Sequence, residues 1–496
     1  MTDFAAFWIF GLALLAAVLL GEALRARAAW RPENSRRVVH AAVGVLVALC
    51  PLLFERPTGV YVLAAGFVAV NAVAVRRGFF PGMHGIARRS WGTVTFPLAL
   101  IAALYLCWTL DPGRVFVLQA AFLVLALADP LASLVGMRLR RPLRYRVGRH
   151  EKSLAGSGAF FGAALALSAL AAALWGPGWA PGVLLAGALG AAACATVAEA
   201  LGAEGWDNLL IVLAVVVPLA ALHGDPALAT PMVLGVLLTA AFALVAFRAR
   251  FLDLSGVLAA SLLAFGVLVL GGAAWAVPAF AFFVLSSLLS RLGARRKAEA
   301  ERLAEKSARR DAGQVLANGG VSGALLAATV FAPASAHPAL YWAFVAAFAA
   351  AAADTWGTEV GTYFRWPTRE VLSGRRVPPG TSGGVSLPGT LGALAGAAVV
   401  WLFALPFGGA YPVGLSGPLL AALVVGGGFA AALFDSVLGA SVQARYRDAD
   451  GALTERARSE RAGALPLARG LRWVTNDRVN LACTGFGAVV ALAVLW

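Results

Sequence analysis

Residues 338–361 read PALYWAFVAAFAAAAADTWGTEVG. The first two thirds of this stretch are apolar and rich in alanine, and Asp354 and Glu359 follow near its end. About 20 apolar residues suffice for a helix that crosses roughly 30 Å of hydrocarbon. The stretch therefore predicts a transmembrane helix that carries carboxylates close to one membrane border.

The rest of the chain has the same character. Of its 496 residues, 60% are hydrophobic and 13% are charged, and the mean hydropathy is +0.80. A water-soluble fold does not bury that much apolar surface. The apolar runs predict helices near residues 4–24, 38–54, 58–75, 92–109, 115–136, 155–175, 181–201, 208–222, 229–247, 254–270, 273–290, 314–334, 338–360, 387–406, 415–440 and 481–496. We expect an all-α, polytopic integral membrane protein with about sixteen transmembrane helices.

The basic residues predict the orientation of these helices. With the N-terminus outside, every one of the 40 Lys and Arg residues except Arg56 and Arg114 falls in loops on the cytoplasmic side, as the positive-inside rule requires. The net charge of +15 therefore records orientation and does not indicate a nucleic-acid partner. We expect a multi-pass protein of a bacterial inner membrane, without a removable signal peptide. The charged stretch from Arg291 to Asp311 is interpreted as a solvated cytoplasmic loop.

Five carboxylates lie in or at the ends of apolar helices, where each ionised group costs about 2.5–3.5 kcal/mol on insertion scales. They are Asp129, Glu199, Asp354, Glu359 and Asp435. One interpretation is that each is a neutralised or helix-capping group buried against another helix. Because the surroundings of these residues recur along the chain, we favour a functional role.

An internal repeat connects these carboxylates. Residues 128–136 and 353–361 share the pattern A-D-x-x-x-[ST]-x-V-G, and residues 153–157 and 386–390 share S-L-x-G-[ST]. Glu199 and Asp435 then lie in helices of small residues, and Asp207-Asn208 and Asn476-Asp477 begin the last helix of each half. The order of these matches predicts two halves, residues 1–225 and 226–496, that form two related helical bundles.

The spacing within the repeat favours phosphate chemistry. Asp129 and Ser133 are four residues apart, as are Asp354 and Thr358, so that each pair shares one helix face. Carboxylate and hydroxyl oxygens suit a Mg²⁺ ion that carries phosphate oxygens. Neighbouring glycines would let backbone N–H groups approach those oxygens; they are Gly136, Gly156, Gly361 and Gly389.

Basic and glycine-rich loops supply the complementary charge. Lys152 and the pair Arg375-Arg376 precede helix N-termini, which attract anions, although no Walker or Rossmann motif occurs. A flexible loop is the alternative for residues 380–386. Candidate catalytic residues are Asp129, Glu199, Asp354 and Asp435, and the candidate metal ligands are these four together with Glu359. Candidate nucleotide-binding residues are Lys152, Ser153, Gly156, Asp207, Asn208, Arg376, Gly380, Thr381, Gly383, Gly384, Ser386, Asn476, Asp477 and Asn480.

The first half resembles the CTP-dependent polyprenol kinases of the dolichol and phytol kinase group. The resemblance is carried by Arg37-Val-Val-His40, by WGTVTFP at 91–97, by ADPLASLVG at 128–136, by KSLAGS at 152–157, by Glu199 with Gly202, and by Asp207-Asn208. The second half resembles the TMEM19 and phytyl-phosphate kinase (DUF92) family of integral membrane proteins. Its motifs are ADTWGTEVG at 353–361, VPPGTSGGVS at 377–386, DSVLG at 435–439 with Gln443, and NDRVN at 476–480.

Together the resemblances imply two successive phosphorylations with Mg²⁺ and CTP or another nucleoside triphosphate. The first half would convert an isoprenoid alcohol such as phytol or geranylgeraniol to its monophosphate, and the second half would convert the monophosphate to a diphosphate. Two other functions remain open. A secondary transporter also contains repeats and intramembrane carboxylates. Alternatively, the first half would be cytidylyltransferase-like and would transfer a nucleotidyl group to a lipid phosphate with release of pyrophosphate.

Overall fold

The structure is a computed structural model that describes residues 2–27, 32–77, 91–138, 143–148, 150–250, 252–292, 310–364, 366–448, 451, 453–459 and 463–496. Within these ranges, fourteen helices are long and apolar enough to cross a membrane. The prediction of a helical, polytopic membrane protein is therefore confirmed. Most of the stretch from Arg291 to Asp311, interpreted as a solvated loop, lies outside the described residues.

The chain folds into two compact units, Met1–Leu238 and Thr239–Trp496. They divide inside the helix Ala229–Arg248, whereas the motifs place the boundary at residues 225 and 226. With either boundary, the motifs of the first half lie in the first unit and those of the second half lie in the second unit. The predicted division stays a prediction.

The first unit contains nine helices in its described residues, and a tenth crosses into the second unit. They are α1 (Asp3–Arg27), α2 (Pro32–Leu49), α3 (Thr58–Arg77), α4 (Gly92–Leu104), α5 (Val115–Leu123), α6 (Asp129–Arg138), α7 (Leu154–Trp175), α8 (Pro181–Leu201) and α9 (Asp207–Gly224), followed by α10 (Ala229–Arg248).

The first unit is built around α5 and α6, which one π-helical segment, Val124–Ala128, joins into a single span. This span is the most buried of its unit, and α2, α7 and α9 pack against α5. Gly44 of α2 lies so close that a Cβ atom on it would be 2.5 Å from the Ala126 Cβ. Small residues at such crossings let membrane helices approach closely. Asp129, the first residue of α6, directly follows the π-helical segment.

The second unit contains eight further helices in its described residues. They are α11 (Leu254–Gly266), α12 (Gly272–Arg291), α13 (Ala312–Ala328), α14 (His337–Phe364), α15 (Leu387–Ala404), α16 (Gly417–Ala421), α17 (Gly427–Ser441) and α18 (Asn476–Leu495).

The alanine-rich helix α14 is the most buried span of the second unit, and α12, α13, α15, α17 and α18 pack around it. Its alanines explain this position because three surrounding helices each place a glycine against them. Added Cβ atoms on Gly396 (α15), Gly428 (α17) and Gly487 (α18) would lie 2.5, 3.1 and 2.9 Å from atoms of Ala352, Ala349 and Ala346. Asp354 follows this run of alanines.

The helix count differs from the predicted sixteen for two local reasons. The predicted helices 254–270 and 273–290 fall within one apolar stretch, Leu254–Arg291. Gly272 has φ +58°, which is outside the helical region, so that α11 and α12 are separate helices there. Helix α13 has 17 residues, fewer than the roughly 20 that a helix needs to cross the hydrocarbon core.

Short antiparallel strands, which the sequence did not predict, occur in the polar connections. They are β1 (Arg144–Val147), β2 (His150–Ser153), β3 (Thr368–Glu370), β4 (Arg376–Val377), β5 (Gly384–Val385), β6 (Arg445–Arg447), β7 (Leu453–Thr454), β8 (Arg458–Ser459), β9 (Gly463–Ala464) and β10 (Leu467–Arg469). The hairpin β1–β2 leads into α7, and the sheet β4-β3-β5 leads into α15. The last connection holds the sheet β10-β6-β7 and the hairpin β8–β9.

Candidate functional site

In the first unit, the repeat forms a close crossing of α6 with the N-terminus of α7. The Ser153 Oγ caps α7 by accepting a hydrogen bond from the Gly156 N–H, at 3.1 Å. A Cβ atom on Gly156 would lie 2.9 Å from the Ala132 carbonyl oxygen and 2.9 Å from the Ser153 Oγ, and one on Gly136 would lie 2.7 Å from the same Oγ. Both glycines therefore allow the two helices to meet beside Asp129.

The second unit repeats this crossing between α14 and α15. The Ser386 Oγ accepts a hydrogen bond from the Gly389 N–H at 3.3 Å. A Cβ atom on Gly389 would lie 3.0 Å from the Gly357 carbonyl oxygen, and one on Gly361 would lie 3.2 Å from the Ser386 Oγ. Gly357 is three residues after Asp354, just as Ala132 is three residues after Asp129 in the first unit. The sequence repeat is thus also a structural repeat.

This crossing changes the interpretation of the four repeat glycines. We expected them to expose backbone N–H groups to phosphate, and in the structure they give the helices room to pack. A side chain at any of them would separate the helix that carries the aspartate from the helix that the serine caps.

The first-unit site consists of Asp129, Lys152, Glu199 and Asp207. Glu199 lies near the end of α8 and is 7% exposed. Lys152, on β2, forms an ion pair with the Glu199 carboxylate and donates a second hydrogen bond to the Glu199 carbonyl oxygen at 3.0 Å. Asp129 interacts electrostatically with the other three residues and with Arg36. The structure therefore brings four predicted site residues together.

Residues of α2 complete the surroundings of the first-unit site. The Arg37 guanidinium donates a hydrogen bond to the Ser133 Oγ at 2.8 Å. The His40 ring is 3.1 Å from the Leu125 carbonyl oxygen. These residues carried the family resemblance, but they were not among the predicted site residues, because spacing along α2 gives no sign of contact with α6.

Asn208 makes a structural contact, and its predicted contact with nucleotide stays a prediction. Its side-chain N–H groups donate to the Gly92 carbonyl oxygen at 2.9 Å and to the Thr95 Oγ1 at 3.4 Å. Asn208 thus ties the start of α9 to the start of α4. The Asp207 carboxylate accepts a hydrogen bond from the Asn208 backbone N–H at 3.1 Å.

The second-unit site consists of Asp354 on α14 and Asp435 on α17. The two carboxylates interact electrostatically with each other and with Cys483 on α18. The Asp435 Oδ2 is buried and has no hydrogen-bond partner among the residues that the structure describes. A buried carboxylate oxygen without a partner is costly, and a bound cation or hydrogen-bond donor would remove that cost.

Glu359 is separate from this pair. It interacts electrostatically with Arg310, and it lies five residues, or about 140° around the helix, beyond Asp354. Thr358, predicted to act with Asp354, is exposed. The predicted role of Glu359 as a metal ligand stays a prediction.

The glycine-rich loop 380–386 packs against the end of α17. Gly383 has φ +77°, and a Cβ atom on it would lie 2.6 Å from the Ala440 Cβ and 2.8 Å from the Ser436 carbonyl oxygen. The Ser382 Oγ is 2.6 Å from the Gln443 Oε1, to which it donates. The Gln443 Nε2 in turn lies 3.4 Å from the Asn476 Oδ1. The loop therefore contacts the residue next to Asp435 and is linked to the start of α18.

The backbone of this loop already uses several of its donors. The Gly384 N–H donates to the Thr381 carbonyl oxygen at 2.9 Å, and the Thr381 N–H donates to the Pro378 carbonyl oxygen at 3.2 Å. Gly380 also has a positive φ, +84°. These residues form turns, and their predicted contact with phosphate stays a prediction. Two other candidates, Asp477 and Asn480, lie in the first turns of α18 and are half-buried.

The cations that contact the loop are not the predicted ones. Arg375 and Arg376 are exposed. In contrast, Arg445 is 5% exposed and donates to the carbonyl oxygens of Ser382 and Gly439. Burial, followed by the charge of the nearby Arg469, lowers the pKa of Arg445. In the sequence, Arg445 and Arg469 were counted only as part of a basic cytoplasmic segment.

The donor sets limit which metal ion fits. In the described parts of the chain, no three His, Cys, Asp or Glu side chains gather into a metal site. Mg²⁺ is commonly held by one or two carboxylates together with substrate phosphates and waters. The Asp354–Asp435 pair, with its buried and unpartnered oxygen, fits such an ion. In the first unit, Asp129 and Asp207 offer a similar pair, whereas Glu199 is engaged by Lys152.

Comparisons with known proteins relate this chain to integral membrane proteins. The chain is similar to the uncharacterized membrane protein MJ0933 of Methanocaldococcus jannaschii, with 27% identity over 259 residues, which is 52% of this chain and 92% of that protein. No solved structure matches the chain. Residues 237–488, about half of the chain, match the model of the integral membrane protein family DUF92. This chain therefore belongs to the DUF92 family of integral membrane proteins.

Proposed function

We propose that the protein is a bifunctional membrane phosphotransferase. The first unit transfers a phosphoryl group from a nucleoside triphosphate, CTP by family resemblance, to an isoprenoid alcohol such as phytol or geranylgeraniol. The second unit transfers another phosphoryl group to the resulting monophosphate and forms the diphosphate. The bilayer holds the isoprenoid chain while its polar end meets the nucleotide at the cytoplasmic border.

One observation carries this proposal: a carboxylate pair lies beside the same serine-capped helix crossing in each unit. In the second unit the pair is Asp354 and Asp435, and the capped helix begins after Ser386. A helix N-terminus favours the negative charge of phosphate, and carboxylates favour the accompanying Mg²⁺. The helix crossing therefore offers a helix N-terminus for phosphate and carboxylates for Mg²⁺ at one place.

The reaction requires positioning and charge neutralisation more than covalent catalysis. The acceptor oxygen forms a bond to the terminal phosphorus of the nucleotide as the bond from that phosphorus to the nucleoside diphosphate oxygen breaks. In the first step, the hydroxyl proton passes to a carboxylate, for which Asp129 is our candidate. In the second step, the acceptor is already a phosphate oxygen, so that a base is less important than neutralisation of its charge.

The protein groups divide these tasks. Mg²⁺, when bound, supplies positive charge to the phosphate oxygens. Asp354 and Asp435 would hold that ion in the second unit, and Asp129 and Asp207 would hold it in the first. Lys152 would exchange its Glu199 partner for a phosphate oxygen. Joining both activities in one chain keeps a scarce intermediate at high local concentration.

The test is a reconstitution with the purified full chain. The protein is incubated with Mg²⁺, each of the four nucleoside triphosphates labelled at the terminal phosphate, and phytol or geranylgeraniol. We expect labelled lipid monophosphate followed by diphosphate, with release of the nucleoside diphosphate. Release of pyrophosphate would instead identify a nucleotidyl transfer, and the absence of labelled lipid with every nucleotide would contradict the proposal.

A further inference from the structure

The helix that carries Asp129 is widened just before that residue. The segment Val124–Ala128 is π-helical, so each of its carbonyl groups is paired with the N–H five residues later instead of four, and the helix takes in one extra residue. Each residue turns an α-helix by about 100°. An extra residue therefore rotates every side chain that follows it, and the direction of Asp129 depends on the π form of this segment.

One carbonyl group of this segment has no backbone donor. The π pattern pairs the Asp129 N–H with the Val124 carbonyl oxygen, five residues earlier. The Leu125 carbonyl oxygen would then need the N–H of residue 130, which is a proline and has no N–H. A carbonyl oxygen left unpaired inside the hydrocarbon is costly, so a side chain has to supply the missing donor.

The His40 side chain on α2 supplies this donor. Its Nε2 is 3.1 Å from the Leu125 carbonyl oxygen. Because a carbonyl oxygen can only accept, Nε2 carries the proton, and in the neutral ring Nδ1 is then an acceptor. The ring also contacts Phe96 edge-to-face, with ring centroids 5.5 Å apart. The hydrogen bond fixes the tautomer of His40, and the aromatic contact supports the orientation of its ring.

His40 belongs to a face of α2 that follows the widened span. Arg37, His40 and Gly44 are spaced by three and four residues, so that they share one side of the helix. Arg37 donates to the Ser133 Oγ at 2.8 Å, and Gly44 leaves room for the close approach of Ala126. Helix α2 therefore contacts the span on both sides of the first residue of α6.

The second unit shows what the proline changes. Thr355 stands at the motif position of Pro130, and α14 is a continuous α-helix from His337 to Phe364. A proline inside a helix removes one backbone hydrogen bond and crowds the carbonyl oxygen four residues earlier. A threonine has neither effect. The π-helical segment and its histidine partner thus accompany the proline of the first unit.

We propose that His40 is a positioning residue for Asp129. Its Nε2–H replaces the backbone donor that Pro130 lacks, and this bond maintains the π-helical segment that sets the direction of Asp129. Asp207 interacts electrostatically with both His40 and Asp129, so the ring lies at the first-unit site without needing to touch a substrate. The effect of His40 on catalysis rests on the proposed function, whereas the bond and its effect on the helix do not.

The first measurement detects the bond in the purified full chain without Mg²⁺ or nucleotide. The chain contains five histidines, so nitrogen-15 labelling of histidine gives five ring systems in a nuclear magnetic resonance spectrum. His40→Gln identifies the signals of His40 by their loss. We expect a ring that carries its proton on Nε2 at neutral pH. A ring protonated on Nδ1 alone, or a mixture of both tautomers, would overturn the proposal.

The second measurement is a double-mutant cycle between His40 and Pro130. His40→Phe keeps a ring but removes the donor, and Pro130→Ala returns an N–H to residue 130. His40→Phe should lower the midpoint of thermal unfolding, and the loss should be less than about half as large beside Pro130→Ala, because the Leu125 carbonyl oxygen then has a backbone donor. Equal losses in both backgrounds would overturn the proposal. His337→Phe is the matched control, because the His337 Nε2 is also 3.1 Å from a carbonyl oxygen, that of Thr329, and its effect should not depend on residue 130.

The third measurement is the rate of the first phosphorylation. His40→Phe should lower kcat about tenfold or more with little change in the KM for the nucleotide, because Asp129 is misdirected while the nucleotide contacts remain. His40→Gln retains an N–H donor and should recover part of this loss, and both variants should convert added monophosphate at the normal rate. An unchanged kcat per folded His40→Phe protein would reduce His40 to a purely structural role and overturn the proposal. If the unaltered protein phosphorylates no alcohol, the proposed function fails, and the tautomer and the double-mutant cycle still decide whether His40 maintains the π-helical segment.

Discussion

Lys152 and Glu199 form an ion pair in which the Lys152 ammonium also binds the Glu199 carbonyl oxygen, at 3.0 Å. Their side chains are only 22% and 9% exposed. Sequence analysis assigned the lysine to phosphate and the glutamate to a metal ion. In the structure each neutralises the other, so a phosphate that reaches Lys152 must compete with Glu199.

The first prediction concerns the stability of this pair. Lys152→Met leaves the Glu199 charge without its partner, and breaking a buried pair costs about 3–5 kcal/mol. Because Lys152 is partly exposed, we expect about 3 kcal/mol, measured by thermal unfolding of the ligand-free protein in detergent. The double variant Lys152→Met/Glu199→Gln should recover part of this loss.

The same hairpin offers a matched control for this measurement. Arg144 pairs with Glu151 at 2.9 Å, and both side chains are more than half exposed. Because exposed pairs contribute little, Arg144→Met should cost less than about 1 kcal/mol. If Arg144→Met and Lys152→Met destabilised the protein equally, the Lys152–Glu199 pair would have no special role.

The second prediction separates the two proposed activities. Asp354→Asn should abolish formation of the lipid diphosphate and leave monophosphate formation intact, and Asp129→Asn should abolish the first step while added monophosphate is still converted. Thin-layer separation of labelled lipids from membranes that contain each variant measures both steps. Asp225→Asn is the control because Asp225 caps a short turn, and asparagine caps equally well. Equal loss of both products in either variant would contradict two separate sites.

Much of the fold was predictable from the sequence because hydrocarbon thickness and helical rise fix the length of a membrane span. The predicted helix 181–201 coincides with α8, and 338–360 lies within α14. The strands were not predictable, since β4 and β5 have only two residues each and lie in polar loops. Their pairing depends on the tertiary position of β3.

The candidate site was predictable in part for a similar reason. Repetition along the chain identified Asp129 and Asp354, and both lie beside the repeated helix crossing. Repetition could not identify Arg445. Its contact with Ser382 joins segments that are far apart in the sequence, and its contact with Gly439 depends on the turn of the chain after α17. Nor could spacing show that the repeat glycines serve helix packing, since close approach depends on the neighbouring helix.

The third prediction tests the fit of the glycine-rich loop. Gly383→Ala requires both a positive φ and a Cβ atom 2.6 Å from the Ala440 Cβ. We expect a loss of about 2–5 kcal/mol, the sum of the costs of the left-handed conformation and of overpacking. Gly374→Ala is the control, since its φ is +67° but its Cβ atom would lie in open space. Chemical denaturation should show a clearly larger loss for Gly383→Ala, and equal losses would mean that the loop does not pack against α17.

The fourth prediction is a pH dependence centred on Glu370. The Ser373 hydroxyl, at 2.6 Å, and then the Arg469 guanidinium, at 3.0 Å, donate to its carboxylate and lower its pKa below the usual 4.5. The stability from these contacts is therefore fully present above about pH 4.5 and is lost as the pH falls through the lowered pKa. Limited proteolysis of the β3–β4 loop should accelerate as the pH falls through the lowered pKa of Glu370. Glu370→Gln should cleave at a rate that changes much less with pH, and an unchanged pH profile in this variant would exclude Glu370 as the cause.

The last prediction concerns Arg445, which binds the loop 380–386 to the end of α17. Arg445→Met removes the donors to the Ser382 and Gly439 carbonyl oxygens. Hydrogen bonds to charged groups contribute about 1.5–3 kcal/mol, so hydrogen exchange of the loop amides should accelerate about tenfold or more. Arg447→Met is the matched control, because Arg447 lies two residues away and is exposed, and its side chain donates to the Gly451 carbonyl oxygen, away from the loop 380–386. If the loop also positions phosphate, the Arg445 variant should raise the KM for the nucleotide more than it lowers kcat, whereas a purely structural role would change the exchange rate alone.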